Sequence, residues 1–144
     1  MWELISKILI GLLLIIVTAQ DIKWKKIRVG VVLITAILLC ICIPFCSRPS
    51  VIDRILGLSL GLGVVLLSKA TRGKIGIGDG LVLGVIGMGI GFWSNMELFA
   101  IALAMAAVFS IALMVLGKAN RKKAIPFMPF LLLSYLCISI PIWI

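Results

Sequence analysis

Gly76-Ile77-Gly78-Asp79-Gly80 sets a carboxylate between glycines at the head of an apolar run that continues to residue 93. An ionisable side chain at the mouth of a lipid-compatible segment is costly, and it marks a functional site by default. Helix capping is the plainer use of such a residue, because aspartate is among the preferred caps. The rest of the chain decides between them.

Of the 144 residues, 63% are hydrophobic and 13% charged, with a mean hydropathy of +1.32. Soluble domains carry about 25% charged residues, so the core built here is a bundle inside lipid. The length fits one domain, residues 1–144. Six apolar runs stand out, at 4–20, 29–46, 51–68, 79–93, 97–117 and 125–143. A membrane helix needs about 20 apolar residues, and five runs reach or approach that length. The expected fold is all-α: a polytopic membrane protein with a bundle of about six transmembrane helices. The fourth run is short, since about 15 residues rise only about 22 Å against about 30 Å of hydrocarbon. Either the bilayer thins there or Gly76–Gly80 lies below the membrane surface. Irregular backbone at that depth needs shelter from protein or a wet cavity.

Val17-Thr18-Ala19 resembles a signal-peptide cleavage site, but Glu3 weakens the positive start that such a segment needs. A basic cluster, Lys23, Lys25, Lys26 and Arg28, follows at once and resists translocation. The first run is therefore expected to be a retained span. Lys69, Arg72 and Lys74 follow the third run, and Lys118, Arg121, Lys122 and Lys123 follow the fifth. These three connections hold eleven of the 14 basic residues. The positive-inside rule makes them cytoplasmic and both termini external, in a multi-pass protein of the cell membrane. They also suit anionic lipid headgroups.

Five acidic residues fall on that map. Glu3, Asp53 and Glu97 lie on the outer side, and Asp53 is expected to be dispensable. Asp21 and Asp79 are the two cytoplasmic-side carboxylates, each at the end of a span. They are either counter-ions among the bases or a pair with chemistry. Helix position alone makes Asp79, before a helix start, the ionised partner and Asp21, after a helix end, the proton holder. Lys23, Lys25 and Lys26 oppose the second half of that assignment.

Other chemistries drop out. With no histidine in the chain, histidine metal sites and Ser/His or Cys/His catalysis are excluded. Cys40, Cys42, Cys46 and Cys137 form no CxxC pair and sit in or beside apolar runs as small hydrophobes. Neither a P-loop nor a dinucleotide fingerprint is present, and no internal repeat of transporter type appears. No metal, cofactor or nucleic-acid partner is implied. Gly80, Gly84, Gly87 and Gly91 recur on one helix face, and Gly57 and Gly61 form a small-xxx-small pair. Both patterns predict close helix packing in lipid. Ile125-Pro126-Phe127-Met128-Pro129-Phe130 opens the sixth run. Proline suits a first helical turn, but two prolines exceed that need and a substrate groove is the other use for them.

Together these marks resemble the prepilin and preflagellin leader peptidases, membrane aspartic proteases of the Gly-x-Gly-Asp type, over essentially the whole chain. Asp21 followed six residues later by Ile27 matches the family's first aspartate motif, D-x5-I-P-N. Gly76-Ile77-Gly78-Asp79 matches the second, and Ile125–Phe130 matches I-P-F-x-P-F. Arg28 and Val29 replace the usual Pro-Asn, and the lysine common after the second aspartate has no counterpart in Gly80-Leu81-Val82. Longer members carry an amino-terminal region linked to methylation of the new N-terminus, and this chain is expected to be a short form without it.

The resemblance implies a cytoplasmic-face aspartic endopeptidase, without cofactor, that removes leaders from prepilin-like or pseudopilin-like precursors of pilus and secretion systems. It makes Asp21 and Asp79 catalytic, with Gly76, Gly78, Pro126, Phe127 and Pro129 shaping the site. Two carboxylates that share a site do not both ionise easily, so one holds a proton while the other acts as base on water. The rivals are a non-enzymatic transporter or assembly subunit, in which Asp21 and Asp79 relay protons or pair with bases, and an inactive relative. Substrate identity and oligomeric state stay open.

Overall fold

Long apolar runs satisfy their backbone groups most simply as helices, and every run does so. A computed structural model describes residues 1–73, 76–118 and 125–143. Its helices are α1 (Trp2–Trp24), α2 (Val29–Cys42), α3 (Val51–Ala70), α4 (Ile77–Ile90), α5 (Phe92–Val115) and α6 (Met128–Trp143). A 3-10 turn, Ile43–Phe45, extends α2. The architecture is an all-α bundle, with no strand among the described residues. Among the described residues, three helices, α1, α3 and α5, are long and apolar enough to cross a membrane.

The bundle faces outward with apolar side chains. Leu33, Ile34 and Ile37 on α2, Ile55, Leu62 and Leu66 on α3, and Val108, Ile111 and Val115 on α5 are all exposed. An apolar surface of that extent marks contact with membrane or partner, and with three helices of spanning length it indicates membrane association. Polar groups turn inward instead: Arg54, Ser68, Asn95 and Ser134 are buried.

α4 is the centre. It is apolar all round, and Val82, Leu83 and Ile86 are fully buried, the pattern of a helix enclosed by others. α1, α2, α3 and α5 pack around its 14 residues, while Ile77 at its start stays exposed. Ile10, Leu13 and Leu14 of α1 and Leu98 of α5 complete the apolar core around it.

The α3–α4 seam is built on glycine. A methyl group at Gly57 would strike the Gly87 carbonyl, and one at Gly61 would strike the Gly84 backbone. A methyl at Gly80 would lie 2.6 Å from Val65 Cγ2. Gly84 differs, because a Cβ there meets Leu58 Cδ1 at an ordinary 3.5 Å. The predicted glycine face is thus used at Gly80 and Gly87, with room to spare at Gly84.

Gly91 serves another purpose. The expected connection beyond residue 93 is absent, and Gly91 alone separates α4 from α5, at φ 90° and ψ 173°. Two α3 side chains fasten this turn. The buried Arg54 guanidinium donates to the carbonyls of Met88 (2.9 Å) and Gly89 (3.4 Å), at the α4 C-terminus, and to those of Arg48 and Pro49. Asp53 Oδ1 accepts the Phe92 N–H at 3.2 Å, at the α5 N-terminus. Each charge sits at the helix end whose dipole it complements. Asp53, expected to be dispensable, therefore has a structural role.

Asn95 ties the same region together from within. Its Nδ2 donates to Leu83 O at 3.0 Å and Gly57 O at 3.4 Å, joining α5 to α4 and α3. At the same end Tyr135 Oη donates to Lys7 O at 2.7 Å, linking α6 to α1.

Candidate active site

The helix boundaries relocate both aspartates. α1 continues through Asp21 to Trp24, and Lys25 N–H closes it on Asp21 O at 2.9 Å, with Lys25 in the left-handed conformation at φ 52°. Asp21 is in the last turn and does not follow the helix. α4 starts at Ile77 with Gly76 as its cap, so Asp79 occupies the first turn, its N–H on Gly76 O at 3.2 Å. Asp79 is therefore not the cap but the acidic residue of the first turn.

Both half-buried carboxylates line one cleft of about 820 Å³, at the end of the bundle where α1 ends and α4 begins. Asp21's charge acts on the Asp79 carboxyl across it. Gly76, Gly78, Pro126 and Phe127 line the same cleft, so three sequence-distant segments converge there. Pro129 does not line it and lies in the first turn of α6. One proline thus serves the helix start and the other the cleft wall.

Local packing fixes each part. The Asp79 carboxylate folds over Gly76, where a Cβ would lie 3.2 Å from Oδ2. The Ile27 side chain rests on Gly78, where a Cβ would lie 2.8 Å from Ile27 Cδ1. Ile27 thereby joins the Asp21 segment to the Asp79 segment. The α1–α2 connection is held by Gln20 Oε1, which accepts Arg28 N–H at 3.2 Å. Lys23 Nζ and the Arg28 guanidinium lie 4.9 and 5.5 Å from the Trp24 ring centroid.

Asp21 has one further partner. The Met128 N–H, the first of α6, donates to Asp21 Oδ2 at 3.4 Å. A helix N-terminus thus faces each carboxylate, α6 against Asp21 and α4 against Asp79. The dipole argument that made Asp21 the proton holder fails, because the α6 dipole favours negative charge at Asp21 as well.

The remaining wall comes from residues without a motif. Val64 and Leu67 of α3 and Phe99 and Leu103 of α5 line the cleft, and Phe99 packs edge-on against Phe127 at 6.2 Å. Nothing in the sequence singled out α5 for this role, since its apolar residues look alike along its length. Lys25 and Lys26 stand at the rim. Lys74, Arg121, Lys122 and Lys123, which carry part of the charge map, lie outside the described residues.

An apolar cleft holding two interacting carboxylates can activate a water on one and donate a proton from the other. Among the described residues no three histidine, cysteine, aspartate or glutamate side chains converge as a metal-holding group. The four cysteines are free thiols. The chain matches no protein-family model, no curated protein and no solved structure.

Proposed function

We propose that this chain is a multi-pass membrane aspartic endopeptidase of the leader-peptidase kind, which cuts prepilin-like precursors at the cytoplasmic face. One observation carries the proposal: Asp21 and Asp79 line a single cleft together with Gly76, Gly78, Pro126 and Phe127. Those residues belong to three motifs that are unconnected in sequence, and a set of mere counter-ions has no reason to gather them.

In this mechanism one carboxylate takes a proton from water, and the water oxygen attacks the scissile carbonyl. The protonated partner polarises the carbonyl oxygen and then protonates the leaving amine. The Met128 N–H orients Asp21, and the fold of Asp79 over Gly76 sets the other carboxylate. The apolar wall from Phe99 and Phe127 suits the start of the substrate's apolar helix. Arg28, where the family has proline, uses an N–H that proline lacks to bond Gln20. A hydrogen bond thus replaces ring rigidity in the first-motif turn.

The six helices cross the membrane in this account, α4 by being enclosed, and the basic connections place the cleft in the cytoplasm. The transporter alternative is less favoured. Ile10, Leu13, Leu14, Leu83 and Ile86 fill the bundle centre beyond the cleft, and the buried Asn95 and Ser134 donate there to backbone carbonyls and not to each other. The test is direct: purified protein in detergent, with a prepilin-like precursor and no added metal or nucleotide, should release the leader. An intact precursor after long incubation, with folded protein present, counts against the peptidase.

A further inference from the structure

The bundle has a second cavity, of about 860 Å³, at the end opposite the aspartate cleft. It lies between the start of α1, the start of α3, the α4–α5 turn and α6. That volume is within the range of small-molecule sites. Four charged residues line it, Glu3 and Asp53 with Lys7 and Arg48. No ion pair joins any of them to another, so two residues of each charge line one space without neutralising each other directly. Glu3 Oε1 accepts from Ser47 Oγ at 3.3 Å, and Asp53 gives one oxygen to Phe92 N–H, which leaves acceptor capacity on both carboxylates.

One wall of the cavity is apolar and continues onto the lipid-facing surface. Ile52 is 72% and Leu56 47% exposed, and both line the cavity. Trp93 stands at its edge, 73% exposed. Exposed tryptophan is typical of the level of lipid headgroups.

We propose that this cavity holds the headgroup of an aminophospholipid. The phosphate sits between Lys7 and Arg48, the ammonium between Glu3 and Asp53, and an acyl chain runs over Ile52 and Leu56. Charge complementarity selects this occupant. A purely anionic headgroup leaves the two carboxylates without a cation. A choline headgroup carries the positive charge but has no N–H with which to bond them. The inference rests on the membrane reading and is independent of the peptidase reading, so leader cleavage neither supports nor removes it.

The test uses the full chain, delipidated in detergent and supplied with dioleoyl phosphatidylethanolamine, phosphatidylcholine or phosphatidylglycerol. Thermal unfolding is read with each lipid, and binding by native mass spectrometry. The ethanolamine lipid should bind about tenfold more tightly than the other two, equal to about 1.4 kcal/mol, and raise the unfolding temperature most. The double variant Glu3→Gln/Arg48→Gln changes two exposed side chains. It should keep the parent's unfolding temperature without lipid and lose the preference. O-phosphoethanolamine alone should give no shift. Equal binding of the three lipids, a preference that survives in the double variant, or a full shift from the soluble headgroup overturns the proposal.

Discussion

Replacing Gly61 with alanine isolates the contact that sets the position of α4. The added methyl carbon overlaps the Gly84 N and Cα and lies 2.6 Å from the Gly80 carbonyl oxygen. Carbon contacts are comfortable at about 3.5–4.0 Å, so α3 and α4 must part by roughly 1 Å. A gap of that size forfeits about a quarter to a half of the dispersion attraction along the seam, including the Gly57–Gly87 and Gly80–Val65 contacts. Overpacking costs about 1–3 kcal/mol. The upper end applies here because the obstacle is backbone, which cannot change rotamer. Alanine recovers about 0.5–1 kcal/mol of helix propensity, which leaves a net loss of about 2 kcal/mol. Gly84→Ala is the matched control, on the facing helix, with its nearest neighbour at 3.5 Å. It should range from neutral to a gain of about 1 kcal/mol, although Gly84→Leu, reaching past Cβ, should still lower folded yield. Both alanine variants would be unfolded by SDS titration in mild detergent, with tryptophan fluorescence and size exclusion as readouts. Equal stability of Gly61→Ala and parent, or equal loss in both variants, refutes the close-packing argument.

Three further outcomes follow from the same geometry. Gly76→Ala puts a methyl 3.2 Å from Asp79 Oδ2, so leader cleavage should fall about tenfold or more, as small misplacements at reacting groups do, while the unfolding midpoint moves little. Ile27→Ala removes the side chain resting on Gly78 and should lower kcat more than it raises KM, in a precursor-cleavage time course. Arg54→Met leaves the Met88 and Gly89 carbonyls without their donor and should cost about 2–4 kcal/mol, since each orphaned buried group costs about 1–3 kcal/mol. Unfolding in detergent reads that loss.

The sequence carried the helices and the convergence of the site unevenly. Apolar run length located the six described helices because a long apolar run has few other ways to pair its own backbone groups. Their ends were harder, because hydrophobicity fades gradually while hydrogen bonding stops at a residue. Asp21 was therefore placed beyond α1 and Asp79 before α4, although both lie inside. The α4–α5 turn was invisible for the same reason. Gly91 was counted as a packing glycine, and the partners that make a one-residue turn possible, Asp53 and Arg54, lie almost forty residues earlier. Motif spacing brought out Asp21, Asp79, Gly76, Gly78, Pro126 and Phe127, all of which line the cleft. The contributions of Phe99, Leu103 and the Met128 N–H were not legible. A backbone donor has no sequence identity, and an apolar side chain in an apolar helix carries no mark of what it faces.

The central claim, that Asp21 and Asp79 act together on a peptide bond, is tested most directly by cleavage of a prepilin-like precursor with single asparagine variants. Asp21→Asn and Asp79→Asn keep the shape of each side chain but remove its exchangeable acid proton. Each should abolish leader release by the purified, folded protein, while Glu97→Gln, exposed on α5, should match the parent. Substantial cleavage by either asparagine variant would contradict the account.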